Sequence, residues 1–76
     1  MSIDPESLEV GQCYLTVMGT VRRVVHVLDQ RVQYQQRAAH RPDWRQFKAG
    51  ILDLRSFAFT VERPVPEDWS PETGRA

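Results

Sequence analysis

The chain has 76 residues with ten basic and ten acidic side chains, which excludes a second domain of ordinary size and a uniformly basic nucleic-acid-binding domain. Its one cysteine excludes an internal disulfide, on which small secreted domains normally depend, so we expect a reducing, cytoplasmic location. The sequence has neither an apolar run near the roughly 20 residues that cross a bilayer nor the basic start and apolar centre of a signal peptide, so we expect a soluble protein without a membrane partner.

The N-terminal segment, residues 1–9, is predicted to be a lead-in that contains one helical turn. Asp4 can accept hydrogen bonds from the free N–H groups of that turn, and Pro5 fits its first position, where a missing N–H has no cost. Gly11 follows too soon for a longer helix. We therefore expect the folded domain to span residues 10–63.

The first strand is predicted over residues 12–18, which are rich in β-branched and aromatic side chains. Gly19 then supplies the positive φ that a tight reversal requires. Two registers remain open, since a one-residue slip exchanges the two faces of a strand. A three-residue loop turns Cys13, Leu15 and Val17 inward with Val21, whereas a two-residue loop at Gly19 and Thr20 turns Tyr14 and Met18 inward instead.

The central segment, residues 21–37, is predicted to form a β-hairpin with a loop centred on Asp29 and Gln30, which places Val25 opposite Tyr34. One face then carries apolar side chains: Val21, Val25, Val27, Val32 and Tyr34. The other face carries polar ones, with Val24 and Leu28 as apolar exceptions: Arg22, His26, Arg31, Gln33, Gln35 and Arg37. Such a ribbon is typical of antiparallel sheet that is covered on one side and wet on the other.

The segment after the hairpin, residues 38–43, is predicted to be a loop because Pro42 has no N–H for a sheet ladder. A short strand is predicted over residues 44–47. Ala49 and Gly50 then offer a turn or a bulge.

The C-terminal third is predicted to contain a helical turn capped by Asp53, with Leu54 and Phe57 on one face. An alternating strand through Phe57 is the alternative. A closing strand is expected to end by Arg63, because the prolines that follow cannot continue a central ladder. The tail, residues 64–76, is predicted to be extended or disordered.

The predicted elements together indicate an all-β fold: a small SH3-like barrel of four to five antiparallel strands with one short helical turn before the last strand. Most of the core is expected to come from the strands and from the larger aromatic side chains: Tyr14, Tyr34, Trp44, Phe47, Phe57, Phe59 and Trp69.

One spaced set of residues resembles the uncharacterised small barrel proteins of bacteria and their phages: Gly11, Tyr14, Gly19, Val21, Val24, Val25, Val32, Tyr34, Arg37, Trp44 and Phe57. The set covers residues 10–63, and most of its members are fold-determining valines, aromatics and turn glycines. The resemblance therefore implies an SH3-like fold and no activity, since such barrels serve unrelated functions.

The residues with catalytic potential are few. In one register of the first strand, Cys13 faces His26 across the strands, which is the minimal thiol and imidazole pair. No glycine-rich oxyanion loop or orienting carboxylate accompanies them, and cysteine is among the most buried residue types. Two histidines and one cysteine fall short of the four ligands of a zinc site. We therefore expect no enzyme, no metal and no cofactor.

The basic side chains are concentrated in the middle of the chain. Residues 22–48 hold seven bases against two acids, residues 1–21 hold three acids and no base, and residues 49–76 hold three bases against five acids. Basic surfaces with exposed aromatics bind single-stranded nucleic acid, because cations neutralise phosphates and rings stack on bases. Against this stands the role of arginine as an ordinary solubilising residue, or as a partner for Glu62, Glu67 or Asp68.

The loop around Trp44 offers a second kind of surface. SH3-like barrels use an aromatic rim to bind extended or proline-rich peptides, and here such a rim would combine Tyr34, Trp44 and the 38–43 loop. Trp69 in the tail is expected to fold back over the end of the barrel, with insertion into another copy as the alternative.

These observations predict a non-catalytic interaction module that binds a protein or peptide through an aromatic and basic rim. The alternative is single-stranded nucleic-acid binding by the basic central strands. The candidate binding residues are Arg22, Arg31, Tyr34, Arg37, His40, Arg41, Trp44 and Arg45.

Overall fold

The fold is a five-stranded antiparallel sheet, seen in a computed structural model that describes residues 3–72. A 3-10 turn, Pro5–Ser7, precedes the strands, and one helix, α1 (Leu54–Thr60), lies between the last two. The strands are β1 (Cys13–Thr16), β2 (Thr20–Leu28), β3 (Arg31–Ala38), β4 (Lys48–Asp53) and β5 (Val61–Val65). Their order in the sheet is β4-β3-β2-β1-β5. The predicted all-β class with a helical turn directly before the last strand is confirmed.

The sheet carries a hydrophobic cluster on each face. Cys13 and Tyr14 are neighbours in β1 and are both buried, so they point to opposite faces. The helix-side cluster packs against α1 and comprises Tyr14, Val24, Val32, Phe57 and Val61. The tail-side cluster comprises Cys13, Val21, Ala39 and Val65, with Trp44 and Trp69 packed against it. The prediction of one dry and one wet face was therefore wrong.

The β2–β3 hairpin turns at Asp29 and Gln30, as predicted, but its register differs from the predicted one. Asp29 and Gln30 both have positive φ, as a type I′ turn requires. A bulge at Val25 then shifts the pairing, so that Val24, and not Val25, lies opposite Tyr34. Val24 is consequently buried on the helix side and Val25 is 42% exposed, which reverses the predicted roles of these two valines.

The short helical elements begin where the sequence predicts. The Asp4 carboxylate accepts from the Glu6 N–H, and the Asp53 carboxylate accepts from the Ser56 N–H at 3.1 Å. Hydrogen bonds to its oxygens hold the pKa of the Asp53 carboxyl below its usual value. Phe57, on α1, lies at the centre of the helix-side cluster.

The β1–β2 connection is the three-residue loop of the two that the sequence allowed. Leu15 pairs with Val21, and residues 17–19 form the turn, with Gly19 at φ 82°. Cys13 thus shares a face with Val21, as that register predicts. Tyr14 is buried as well, because the opposite face is covered by α1.

The strand predicted over residues 44–47 is wrong, and so is the turn or bulge at Ala49 and Gly50. The loop continues to residue 47, and both residues lie inside β4. Gly50 is needed there because the Tyr34 ring lies directly over it: a Cβ atom would come within 2.6 Å of the ring. The glycine marks a close approach and not a reversal of the chain.

The last strand extends two residues further than predicted, to Val65. Pro64 pairs with Tyr14 in the ladder. A proline is tolerated because β5 is an edge strand and pairs with another strand on one side only. The missing N–H of Pro64 therefore interrupts no ladder on the other side. The residues that follow fold back as expected for Trp69, which packs against the tail-side cluster, and Ser70 is buried. Residues 73–76 of the predicted tail lie outside the described part of the chain.

Two of the predicted core aromatics are exposed. Phe47 precedes β4 and is 46% exposed, and Phe59 on α1 is 73% exposed. Phe57 and Phe59 are two residues apart, so a helix turns them to different sides. Tyr14 and Tyr34 pack on Phe57 with ring centroids 6.2 and 5.6 Å away.

Candidate functional site

Arg37 is the centre of the polar structure on the tail side of the sheet. It was predicted on the wet face, but its side chain is only 2% exposed, because the 38–41 loop and the tail both close over it. Nη1 donates to the carbonyl oxygens of Ala38, Ala39 and Arg41 at 2.9–3.3 Å. Nη2 donates to those of Glu67 and Trp69 at 2.9 and 2.7 Å.

The Arg37 guanidinium therefore holds two segments together that are distant in sequence. Its burial lowers its pKa from the ordinary value, but arginine stays charged at any pH at which the fold exists. The Nε atom has no hydrogen-bond partner among residues 3–72. Five carbonyl acceptors compensate for the loss of water around the charge.

Trp44 lies beneath the tail and not on an open rim. Its indole Nε1–H donates to the carbonyl oxygen of Glu67 at 3.1 Å. The guanidinium carbons of Arg23 and Arg37 lie 4.2 and 5.0 Å from the centroid of its ring. The indole ring and its single donor are thus both engaged within the fold.

The tail is also tied down by an ion pair. The Arg23 guanidinium contacts the Glu67 carboxylate at 2.6 Å, which confirms one of the pairings considered for the acidic tail. Glu67 is 66% exposed, so solvent screens this pair and its contribution to stability is small. Hydrogen bonds to the main-chain oxygens of the tail therefore contribute more to holding it in place than its charges do.

Tyr34 and Trp44 do not form one surface. Tyr34 belongs to the helix-side cluster, where the Arg22 guanidinium lies 4.6 Å from its ring centroid. Arg22 also donates to Thr60 Oγ1 at 2.9 Å and to Gln36 Oε1 at 2.7 Å. Trp44 packs on the opposite, tail-side cluster. The predicted rim of Tyr34, Trp44 and the loop is therefore divided between the two faces.

The remaining predicted binding residues are exposed but lie in two places. Arg31 is next to the β2–β3 turn, where it lines a depression with His26 and Asp29. The others lie in the loop between β3 and β4: His40, Arg41 and Arg45. This loop also carries exposed Phe47 and is followed by exposed Lys48.

The cysteine and the histidine of the suggested pair are separated. Cys13 lies opposite Arg23 and is buried, whereas His26 is exposed near the other end of β2. Burial raises the pKa of the Cys13 thiol, and the charge of Arg23 opposes this effect only partly. A neutral, covered thiol is a poor nucleophile.

Within residues 3–72, no group of three or more His, Cys, Asp or Glu side chains could hold a metal ion. The helical segments of the described chain are all too short or too polar to cross a bilayer.

A second surface lies on the tail-side face of β2, β3 and β4, where the described residues of the tail do not cover it. Two shallow depressions of about 470 Å³ each meet there and share Gln33 and Ile51. We call this the open face and define it by Val25, Leu28, Gln33, Gln35, Ala49 and Ile51. Its three large apolar side chains are 42–61% exposed.

Sequence reasoning missed the open face because it placed Val25 in the core and Ala49 in a turn. The sequence offered no period-two signal for this strand, because residues 48–53 do not alternate between apolar and polar side chains.

These contacts define a small antiparallel β domain whose tail closes one half of one sheet face and leaves the other half open. Comparison of the chain with models of protein families, with curated proteins and with solved structures finds no match. The resemblance to small SH3-like barrels stays a prediction.

Proposed function

We propose that the protein is a non-catalytic interaction module that binds a protein segment in extended conformation along β4 and the open face. The observation that supports this most is the exposure of Val25, Leu28 and Ile51 beside the free edge of β4. An apolar surface next to an unpaired strand is the combination that β-strand addition uses, since main-chain bonds supply affinity and side-chain pockets supply specificity.

The position of the tail supports a peptide-binding surface that does not include Trp44. The polar donors of Trp44 and Arg37 already serve carbonyl groups of residues 67–69. A peptide that used the same donors would first have to displace the tail. The open face has no such competitor within the described chain, and its Gln33 side chain can hydrogen-bond a bound segment.

The state of Cys13 supports the non-catalytic part of the proposal and favours a cytoplasmic location. The thiol is buried and forms no disulfide, and its raised pKa keeps it neutral. A free thiol in the core suits a reducing compartment.

The test is a pull-down from lysate with wild type and two matched variants. Ile51→Lys places a charge on the open face, and Phe59→Lys makes the same kind of change on α1, where Phe59 is exposed. We expect a defined partner that wild type and Phe59→Lys retain and Ile51→Lys loses, followed by at least a tenfold weaker affinity of Ile51→Lys for that purified partner, or roughly 1.4 kcal/mol. Equal retention by all three proteins would exclude the open face.

Single-stranded nucleic-acid binding is the second candidate, and it moves from the central strands to the loop. Arg22, Arg23 and Arg37 contact protein groups. In the sequence, exposed Phe47 instead lies between exposed Arg45 and exposed Lys48. Surfaces that bind single strands combine rings, which stack on bases, with cations, which neutralise phosphates.

Fluorescence anisotropy with labelled single strands tests this candidate. Phosphate binding by the loop should weaken steeply with salt, and Arg45→Glu with Lys48→Glu should weaken it further. Arg55→Glu on α1 is the matched control, because Arg55 is exposed and lies on a different element from the loop. The absence of binding at low salt eliminates the candidate.

A further inference from the structure

The two edges of the sheet differ in how well they are protected against pairing. β5 carries Pro64, which has no donor, and exposed charges at Glu62 and Arg63. β4 has its charges only at its two ends, Lys48 and Asp53. Natural sheets block exposed edges with charges, prolines and bulges, so the unprotected centre of β4 is an exception that calls for an occupant.

The free backbone groups of β4 can be assigned from its ladder with β3. The Leu54 N–H donates to the Gln30 carbonyl at 2.7 Å, one position beyond the Arg31–Asp53 pair. Hydrogen-bonded and non-bonded pairs alternate in an antiparallel ladder, so Leu52 and Gly50 also direct their groups toward β3. Ala49 and Ile51 therefore direct their N–H and C=O groups outward.

We propose that the protein segment that occupies β4 is the β4 strand of a second copy, paired antiparallel about a two-fold axis at Gly50. This inference rests on the proposed function and names its partner. Ala49 of each copy then lies opposite Ile51 of the other. The four outward groups of each copy, two on Ala49 and two on Ile51, satisfy one another in four hydrogen bonds, as a self-complementary interface requires.

The charges and side chains of β4 favour this partner. Lys48 and Asp53 stand at opposite ends of the strand, so antiparallel pairing brings the basic end of one copy near the acidic end of the other, with Lys48 opposite Leu52 and the two charged side chains on opposite faces of the sheet. The net charge of the chain is zero, so two copies do not repel each other as a whole.

The arrangement also covers the most exposed apolar side chain of β4. Ile51 is 59% exposed, and on the open face it would lie against the small side chain of Ala49 from the other copy. The neighbouring Val25 and Leu28 continue the apolar surface beside it. The paired sheet would have ten strands in place of two separate sheets of five.

Sedimentation velocity over a wide concentration range tests the dimer. We expect a concentration-dependent dimer for wild type and for the control Phe59→Lys. Ala49→Pro removes one outward donor without touching the bonds to β3, and Ile51→Lys places like charges near the axis. Each should weaken dimerisation at least about tenfold, while the circular dichroism spectrum, and the melting transition at concentrations where wild type is monomeric, stay close to wild type.

A cross-linking experiment tests the register. In a Cys13→Ala background, chains with Ala49→Cys are mixed with chains with Ile51→Cys and exposed to mild oxidation. Opposed residues of a hydrogen-bonded antiparallel pair are about 5.5 Å apart at Cα, which suits a disulfide. The mixture should form a covalent dimer faster than either variant alone. Faster cross-linking of one variant with itself would overturn the register.

The outcomes separate this inference from the proposed function. A wild-type monomer at every concentration overturns the dimer, and the pull-down with Ile51→Lys then decides whether a different protein uses the open face. Dimerisation that Ile51→Lys and Ala49→Pro leave unchanged also overturns the β4 pairing.

Discussion

The clearest energetic consequence of the structure concerns Arg37. In the Arg37→Met variant, the buried charge is replaced by an apolar side chain of similar length, and five carbonyl oxygens lose their donor. Four of these bonds are partly accessible to water and the one to Ala39 is buried, so water can replace only some of them. At about 1 kcal/mol for each uncompensated acceptor, less a partial gain from removing a desolvated charge, we expect a loss of about 3 kcal/mol.

The loss is large for a domain of this size. Domains are stable by about 5–15 kcal/mol, and about 3 kcal/mol lowers the melting temperature of a 60–100-residue domain by roughly 12–24 °C. Urea unfolding followed by tryptophan fluorescence measures it, since Trp44 and Trp69 both lie at this site. Arg37→Lys should recover little, because one ammonium group cannot reach both the loop and the tail carbonyls as the forked guanidinium does.

The matched control is Arg31→Met, on the same strand but exposed. An exposed substitution of this kind changes stability by no more than about 0.5 kcal/mol. Equal unfolding midpoints for the Arg37 and Arg31 variants would refute the view that Arg37 joins the loop to the tail.

Three further results are expected. Gly50→Ala should lower the free energy of unfolding by about 1–3 kcal/mol, because the added Cβ would meet the Tyr34 ring at 2.6 Å. Urea unfolding should show a smaller loss in a Tyr34→Ala background. An equal loss in both backgrounds contradicts the contact. Burial raises the pKa of the Cys13 thiol above its unfolded value of 9.0, so the contribution of the neutral thiol to stability is present below that pH and is lost as pH rises through the folded pKa. The urea midpoint should therefore fall above pH 9 in wild type and fall less in Cys13→Ala. Parallel pH profiles of the two proteins would contradict this. Glu67→Gln should change the free energy of unfolding by less than about 1 kcal/mol, and only at low salt. Trp69→Ala should lower it by about 2–4 kcal/mol at any salt, because it removes packing. The reverse order of the two effects would show that the ion pair holds the tail.

Features that depend on a few neighbouring residues were predictable. The caps at Asp4 and Asp53 and the turn at Asp29 and Gln30 follow from local hydrogen bonding and local φ preferences, and the structure contains all of them. The all-β class followed from the same signals, since they divide the chain into short segments with strand-like composition.

The side of the sheet that each strand residue faces was less predictable. Val24 and Val25 are adjacent and chemically identical, so only the bulge decides which of them is buried. The bulge depends on the fit of β2 to β3 and to α1, and the alternation of residues 21–28 contains no separate signal for it.

The sequence by itself determined the local elements of this protein: where strands turn, where helices begin, and the class of fold to which they add up. Only the tertiary structure decided that Arg37 is buried, that Trp44 packs against the tail, and that residues 3–72 leave the edge of β4 and the open face free. The physical reason is distance along the chain. Arg37 meets carbonyl groups 30 and 32 residues away, and no local preference of either segment specifies that meeting.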